Sequence, residues 1–222
     1  MKNDARLKND VIEELQWEPS INSAKIGVAV SNGIVTLSGT VGSYYEKHTA
    51  EKVAKSIKGV RAVIEDIEVN LANSLKKSDL DIAEAALNNL EWDITVPHEK
   101  IMLKVEDGWI TLEGEVNWHY QREAAKNAVK NLTGVKGVTN LVTVKTLVLS
   151  RDIKEKIKKS FERNAILDAG KVEVLVNGNK VTLKGTVQSL AEKKQAESSA
   201  WAAPGVFKVE NKIEVGIPEY AL

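Results

Sequence analysis

Glycines return at the same two places three times along this chain, and that recurrence limits its fold more than any other feature. Gly39 and Gly59 reappear as Gly114 and Gly134, each 75 residues on, and again as Gly185 and Gly205 after a further 71. The first glycine of each pair closes a shared phrase: Asn32-Gly-Ile-Val-Thr-Leu-Ser-Gly39, Asp107-Gly-Trp-Ile-Thr-Leu-Glu-Gly114 and Asn179-Lys-Val-Thr-Leu-Lys-Gly185. Fixed offsets over whole segments mark a tandem repeat. The chain therefore reads as three modules, 1–74, 75–147 and 148–222. They are joined at the polar Ala72-Asn-Ser-Leu-Lys-Lys77 and at Leu147-Val-Leu149. Each repeated core spans about 68 residues, enough in principle to fold alone.

Within a module the periodicity changes in a set order. Leu7, Val11 and Leu15, repeated as Ile82, Ala86 and Leu90 and as Ile153, Ile157 and Phe161, form the i, i+4, i+8 stripe of an amphipathic helix. Alternating runs follow: Ile26/Val28/Val30, Ile101/Leu103/Val105 and Val172/Val174/Val176 are the inward residues of a half-buried strand. Asn32-Gly33, Asp107-Gly108 and Asn177-Gly178 then mark tight hairpins. The third hairpin is expected to carry one additional residue and a bulge. The returning strand buries Val35/Leu37, Ile110/Leu112 and Val181/Leu183, and Gly39, Gly114 and Gly185 are expected to end it.

A second helix carries Ala50, Val53, Ala54 and Ile57, matched by Ala125, Ala128, Val129 and Leu132. Gly59, Gly134 and Gly205 stop it, since glycine takes the left-handed C-terminal position without strain. The last strand carries Val63/Ile67/Val69, Val138/Val142/Val144 and Val209/Ile213/Val215. Strand, helix, strand implies a right-handed crossover, so the second and third strands should run parallel. The expected fold class is α+β: three tandem αββαβ modules, each with two helices on one face of a three-stranded mixed sheet. The opposite face carries Thr36, Thr111, Thr182, Glu68, Thr143 and Glu214 and reads as mostly polar.

The αββαβ order, the Leu-x-Gly of residues 39, 114 and 185, and the Gly-Val-x-x-Val of 59–63, 134–138 and 205–209 resemble the BON domain family. The resemblance covers nearly the whole chain, three times over. It is similar to the osmotically inducible BON-repeat proteins of bacterial envelopes, described as transport-associated. That resemblance implies a non-enzymatic module that binds anionic phospholipid surfaces in stress or envelope maintenance. The alternative it implies is a protein–protein interaction or oligomerisation scaffold without lipid binding.

Composition fits this picture. Thirty-one basic residues balance 31 acidic ones, so no bulk field draws a duplex nucleic acid, and nucleic acid is not an expected partner. No cysteine is present, which excludes disulfides, thiolate metal sites and a cysteine nucleophile. His48, His98 and His119 share no metal-ligand spacing, and no phosphate-binding loop or nucleophile elbow occurs, so neither metal, cofactor nor enzymatic activity is expected. Gly134-Val-Lys-Gly137 fits the Gly-x-x-Gly of KH-type modules, but it joins a helix to a strand and appears in one copy. The N-terminal residues contain no apolar stretch of a secretory signal, and the sequence as written is expected to be cytoplasmic, or periplasmic if a signal has been removed.

Because packing makes the cores alike, the differences between copies point to function. Ser43-Tyr-Tyr-Glu46 and Ser189-Leu-Ala-Glu192 are capping boxes at the start of the second helix. The middle module has Trp118 there, followed by His119 and Tyr120, with Asn117 as an alternative cap. Either these side chains contact a membrane interface or partner, as amphipathic aromatics do, or Trp118 packs on a neighbouring module. Trp201 replaces the lysines at positions 55 and 130 and is expected to be buried by something outside its own module, another module or a ligand. Trp109 is expected on the open sheet face. Trp17 and Trp92, equivalent to each other, read as core or rim packing. Charge is uneven as well: basic against acidic counts are 9/10, 9/11 and 13/10 for the three modules. The excess gathers on Arg151, Lys154 and Lys158, which share a helix face and read either as an anionic lipid contact or as a solvated surface interleaved with Glu155 and Glu162.

Overall fold

The computed structural model describes residues 4–145, 153–163 and 169–216. In the first module α1 (Asp4–Trp17) precedes β1 (Ile26–Ser31), β2 (Ile34–Val41), α2 (Tyr44–Ser56) and β3 (Ala62–Val69). The second repeats the order as α3 (Asp79–Trp92), β4 (Ile101–Glu106), β5 (Trp109–Val116), α4 (His119–Val129), β6 (Gly137–Asn140) and β7 (Thr143–Val144). The third comprises α5 (Ile153–Glu162), β8 (Val172–Asn177), β9 (Lys180–Val187), α6 (Leu190–Trp201) and β10 (Lys208–Val215). The fold is the expected mixed α+β repeat.

Sheet topology follows from chain connectivity. The hairpins β4–β5 and β8–β9 are antiparallel, while β6, β7 and β10 return parallel to the central strand of their sheets. The last strand of the middle module is split: Asn140 turns its side-chain carbonyl onto the Val142 amide and donates its Nδ2 to the Arg122 carbonyl in α4. That side chain satisfies polar groups the interrupted ladder would leave open.

The core is the one the periodicity specifies. Leu7, Val11, Leu15, Val35, Leu37, Ala50, Ala54 and Ile67 are buried in the first module. Ile82, Ala86, Leu90, Ile110, Leu112, Ala125, Val129, Val138 and Val142 form one cluster in the second, with Tyr44 packed against it. Ile153, Ile157, Phe161, Val174, Val181, Leu183, Ala196, Ala200 and Ile213 belong to the third. The described residues within 1–39, 49–67 and 146–222 gather into one compact unit, and 40–48 with 68–145 into another.

Three local expectations need correction. The strand-closing glycines do not end their strands, because β2, β5 and β9 each run two residues beyond them. Gly39, Gly114 and Gly185 adopt φ of +126°, +141° and +129°, and a Cβ there would sit 2.0–2.1 Å from the carbonyl oxygen of Lys25, Lys100 or Lys171. They are places where the neighbouring chain passes against the backbone. The third hairpin carries no additional residue: Asn177 pairs with Lys180 across Gly178-Asn179, a two-residue loop like the others. The first two loops place both residues at positive φ, whereas in the third Gly178 alone does so, the pattern of a II′ turn.

Finally, Trp17 and Trp92 do not pack in a core or rim. They are 84% and 85% exposed. Each lies two residues beyond the last stripe residue, Leu15 or Leu90, which on a helix is about 200° away from the buried face.

Candidate interaction surfaces

The hairpin end of the first two modules is built by a contact between residues far apart in sequence. The Asp4 carboxylate accepts from the Asn32 and Gly33 amides at 2.7 and 3.2 Å, and Asp79 accepts from Asp107 and Gly108 at 2.9 and 2.8 Å. Each loop also accepts from the start of the last strand, Arg61 onto Gly33 at 2.8 Å and Lys136 onto Gly108 at 2.9 Å. In the second module this end borders a cleft of about 480 Å³ lined by Lys76, Lys77, Asp79 and Lys136, among others. Next to it Ser78 caps α3 in a complete box with Asp81. The Ser78 hydroxyl, and then its amide, hold the Asp81 carboxyl below its ordinary range. In the third module the equivalent of Asp79 is Ser150, outside the described residues; there the Asn179 side chain donates instead to the Gly205 carbonyl.

Trp118 is the N-cap of α4 with extended backbone, and Asn117 does not take that role. An indole offers no acceptor, so the cap is half a box: Gln121 Oε1 accepts from the Asn117 and Trp118 amides, both at 3.0 Å. In the sister modules Ser43 and Ser189 accept from the Glu46 and Glu192 amides at 3.2 and 3.1 Å. Trp118 is 40% and Tyr120 57% exposed, while His119 is largely covered and faces Glu123 at 3.9 Å.

Trp201 packs, half-buried, against its own module's core. It is the last residue of α6, where the chain turns towards Ala203 and Val206 of the same cluster. Lys154 and Lys158 are exposed on α5 together with Lys156 and Lys159, and Arg151 lies outside the described residues. The six candidate glycines all have positive φ, Gly59, Gly134 and Gly205 at +95°, +95° and +89°.

Sequence reasoning missed the exposed apolar surface of the middle module. Ile94 is 99% exposed two residues beyond Trp92, beside a cleft of about 300 Å³ lined by Glu91, Asp93, Val96 and His98 among others. On the open sheet face Trp109 lies over Gly137 and donates Nε1–H to Thr139 at 2.8 Å, while Met102 and Leu141 are 67% and 54% exposed. That face is therefore more apolar than its threonines suggest. Among the described residues no group of three or more His, Cys, Asp or Glu is placed to hold a metal ion, and no helix is long and apolar enough to cross a membrane.

The fold and these surfaces define a tandem α+β repeat whose copies share a core and differ at the surface. The BON domain sequence profile matches residues 3–70, 78–146 and 150–217. The chain belongs to the BON domain family. It is 32% identical over 141 residues to osmotically-inducible protein Y of Escherichia coli strain K12, covering 62% of this chain and 70% of that protein. Two structures of CdsD, a structural protein of the type III secretion system of Chlamydia trachomatis, align with 96% of the chain at 14% identity. They are covered to 93% and 98%, with TM-scores of 0.28 and 0.26.

Proposed function

We propose that this protein is a non-enzymatic, stress-associated binding module that contacts anionic phospholipid surfaces. The stress association follows the osmotically inducible relative. The observation that carries the binding reading is the exposure of Trp17 and Trp92, 84% and 85%, at equivalent places in two modules. Indoles suit an interface that is apolar on one side and wet on the other. Burying one such ring contributes up to about 4 kcal/mol at about 25 cal/mol per Å². Ile94 extends the apolar surface at Trp92, and Trp118 with Tyr120 adds aromatic area on the same module. The lysines of α5 supply cationic contacts, each contributing on the order of 1 kcal/mol near an anionic surface.

Vesicle flotation tests this reading. The protein should float with vesicles containing phosphatidylglycerol and less with phosphatidylcholine alone. Trp17→Ser/Trp92→Ser should lose most of that flotation with an unchanged melting temperature, because the rings are not part of the core. Undiminished flotation of the double variant would overturn the role of the indoles. A second reading, a protein-interaction scaffold, is favoured by the carboxylates flanking Trp92, Glu91 and Asp93, which suit a cationic protein surface better than an anionic membrane. It expects no flotation and a concentration-dependent rise in mass by light scattering that the same double variant abolishes.

A further inference from the structure

The open sheet face of the third module is chemically unlike its counterparts. The parallel register of β9 and β10 sets Lys208 directly beside Lys180, and Lys212 beside Lys184. Between these pairs the row is Thr182 and Glu210. All four lysines fall on the face opposite the buried Val181, Leu183 and Ile213. Adjacent strands are about 4.8 Å apart, and four residues along a strand span about 13 Å. The face thus carries two close ammonium pairs on a flat, hydroxyl-bearing platform.

Like charges directly opposite in a sheet destabilise it. Glu210 relieves part of this, with its carboxylate 2.5 Å from the Lys180 Nζ, 3.7 Å from that of Lys208 and 3.9 Å from that of Lys212. Glu173 stands opposite Lys184. Glu214 follows Lys212 on the same face, so three carboxylates against four lysines leave a net charge of +1 among the seven groups. By the repeat offsets, the counterparts of Lys180, Lys184, Lys208 and Lys212 are Trp109, Glu113, Gly137 and Leu141 in the second module, and Ile34, Ser38, Ala62 and Asp66 in the first. None is basic, so the fold does not require cations there. A quartet that works against the sheet and is absent from both sister copies is explained by a ligand that neutralises it.

We infer that this sheet face binds phosphate groups, each held between the two ammoniums of a lysine pair with the Thr182 hydroxyl as a further donor. Ammonium to phosphate oxygen is a charge-assisted hydrogen bond, and a face with two such seats suits a ligand bearing more than one phosphate. Where the source is a lipid headgroup, the inference deepens the phospholipid reading above and rests on it. Where the source is a soluble phosphate compound, it stands alone.

Inorganic tripolyphosphate, titrated into the full chain by calorimetry, is the test. The intact protein should bind it, and Lys184→Thr/Lys208→Thr should weaken binding by about thirtyfold, as two lost lysine contacts imply. The melting temperature of this variant in the absence of ligand should hold or rise, since each opposed pair has lost its repulsion. Lys8→Ser/Lys52→Ser, on α1 and α2, makes the same change in net charge and should leave tripolyphosphate binding within about twofold. No binding by the intact protein, equal losses in the two variants, or a fall in melting temperature that accounts for the loss would each overturn the inference. Tripolyphosphate that displaces the protein from phosphatidylglycerol vesicles identifies the headgroup as the source, and undisturbed flotation with intact tripolyphosphate binding identifies a soluble one. Because the titration needs no vesicle, its failure is separable from failure of the phospholipid reading.

Discussion

Two glycines of the third module both sit at positive φ, yet alanine should act on them very differently. Gly178 lies in the hairpin loop at φ +60°, and a Cβ there would meet nothing within 4 Å. Gly185 lies inside β9 at φ +129°, where a Cβ would fall 2.0 Å from the Lys171 carbonyl oxygen and 3.1 Å from its carbon. Left-handed backbone costs an L-residue about 1–2 kcal/mol, and the lost flexibility of the unfolded chain returns about 0.4–1 kcal/mol. Gly178→Ala should therefore cost about 1 kcal/mol or less. At Gly185 the wider φ lies in a region that glycine nearly monopolises, at about 1–3 kcal/mol. An oxygen at 2.0 Å must also retreat by more than 1 Å to reach ordinary contact, and it cannot do so without pulling β8 away where Val172 pairs with Gly185. Losing one or two ladder hydrogen bonds adds about 1 kcal/mol each. The total is about 3 kcal/mol or more. Urea unfolding followed by far-ultraviolet circular dichroism measures both variants against the parent. A difference between the two of less than about 1 kcal/mol would refute the claim that close backbone approach, and not φ alone, fixes the glycine.

Trp118→Ser should install the hydroxyl cap of the sister modules, a gain of about 1 kcal/mol, but Trp118 is only 40% exposed in the fold. That burial is worth more than the cap, so thermal melts should show a net loss of about 1–2 kcal/mol; unchanged or raised stability would mean the covered area contributes little. Acid titration should expose the α3 cap. The Asp81 carboxyl is held below its ordinary value by the Ser78 hydroxyl and amide, so its folded pKa is depressed. Its contribution is complete above the unfolded value near 4 and disappears as pH falls through the lower folded value. Asp81→Asn should flatten the acid limb of stability against pH, and an unaltered limb would remove Asp81 from the account.

How much of this was legible in advance depended on distance along the chain. The helix stripes and the alternating strands are local patterns, and the structure repeats them nearly residue for residue. Gly59, Gly134 and Gly205 have the expected positive φ but do not cap the second helix; they lie three, five and four residues past its end, each in a following turn closed onto Ile57, Leu132 or Ala203. The exposure of Trp17 and Trp92 was also local: two positions past Leu15 or Leu90 is the wrong phase for the buried face, and their large apolar surface masked that signal. The Asp4 and Asp79 contacts join residues 28 and 29 apart, and nothing in either segment names its partner. The lysine pairs of β9 and β10 needed the strand register, which no periodicity supplies. The basic residues that stand out in the sequence are those of α5, where they are close along the chain.

Tandem arrays usually lengthen or shorten freely, because each copy touches its neighbours in order. The described residues within 1–39 and 49–67 share a compact unit with those within 146–222, and the Gly59 amide donates to the Gln188 carbonyl at 3.2 Å across that unit. The first copy and the last are thus partners although a whole copy separates them along the chain. A gene that lost the copy at 148–222 would strip the first copy of this association and not merely shorten the repeat. The order in which the copies pack is therefore not the order in which the chain writes them.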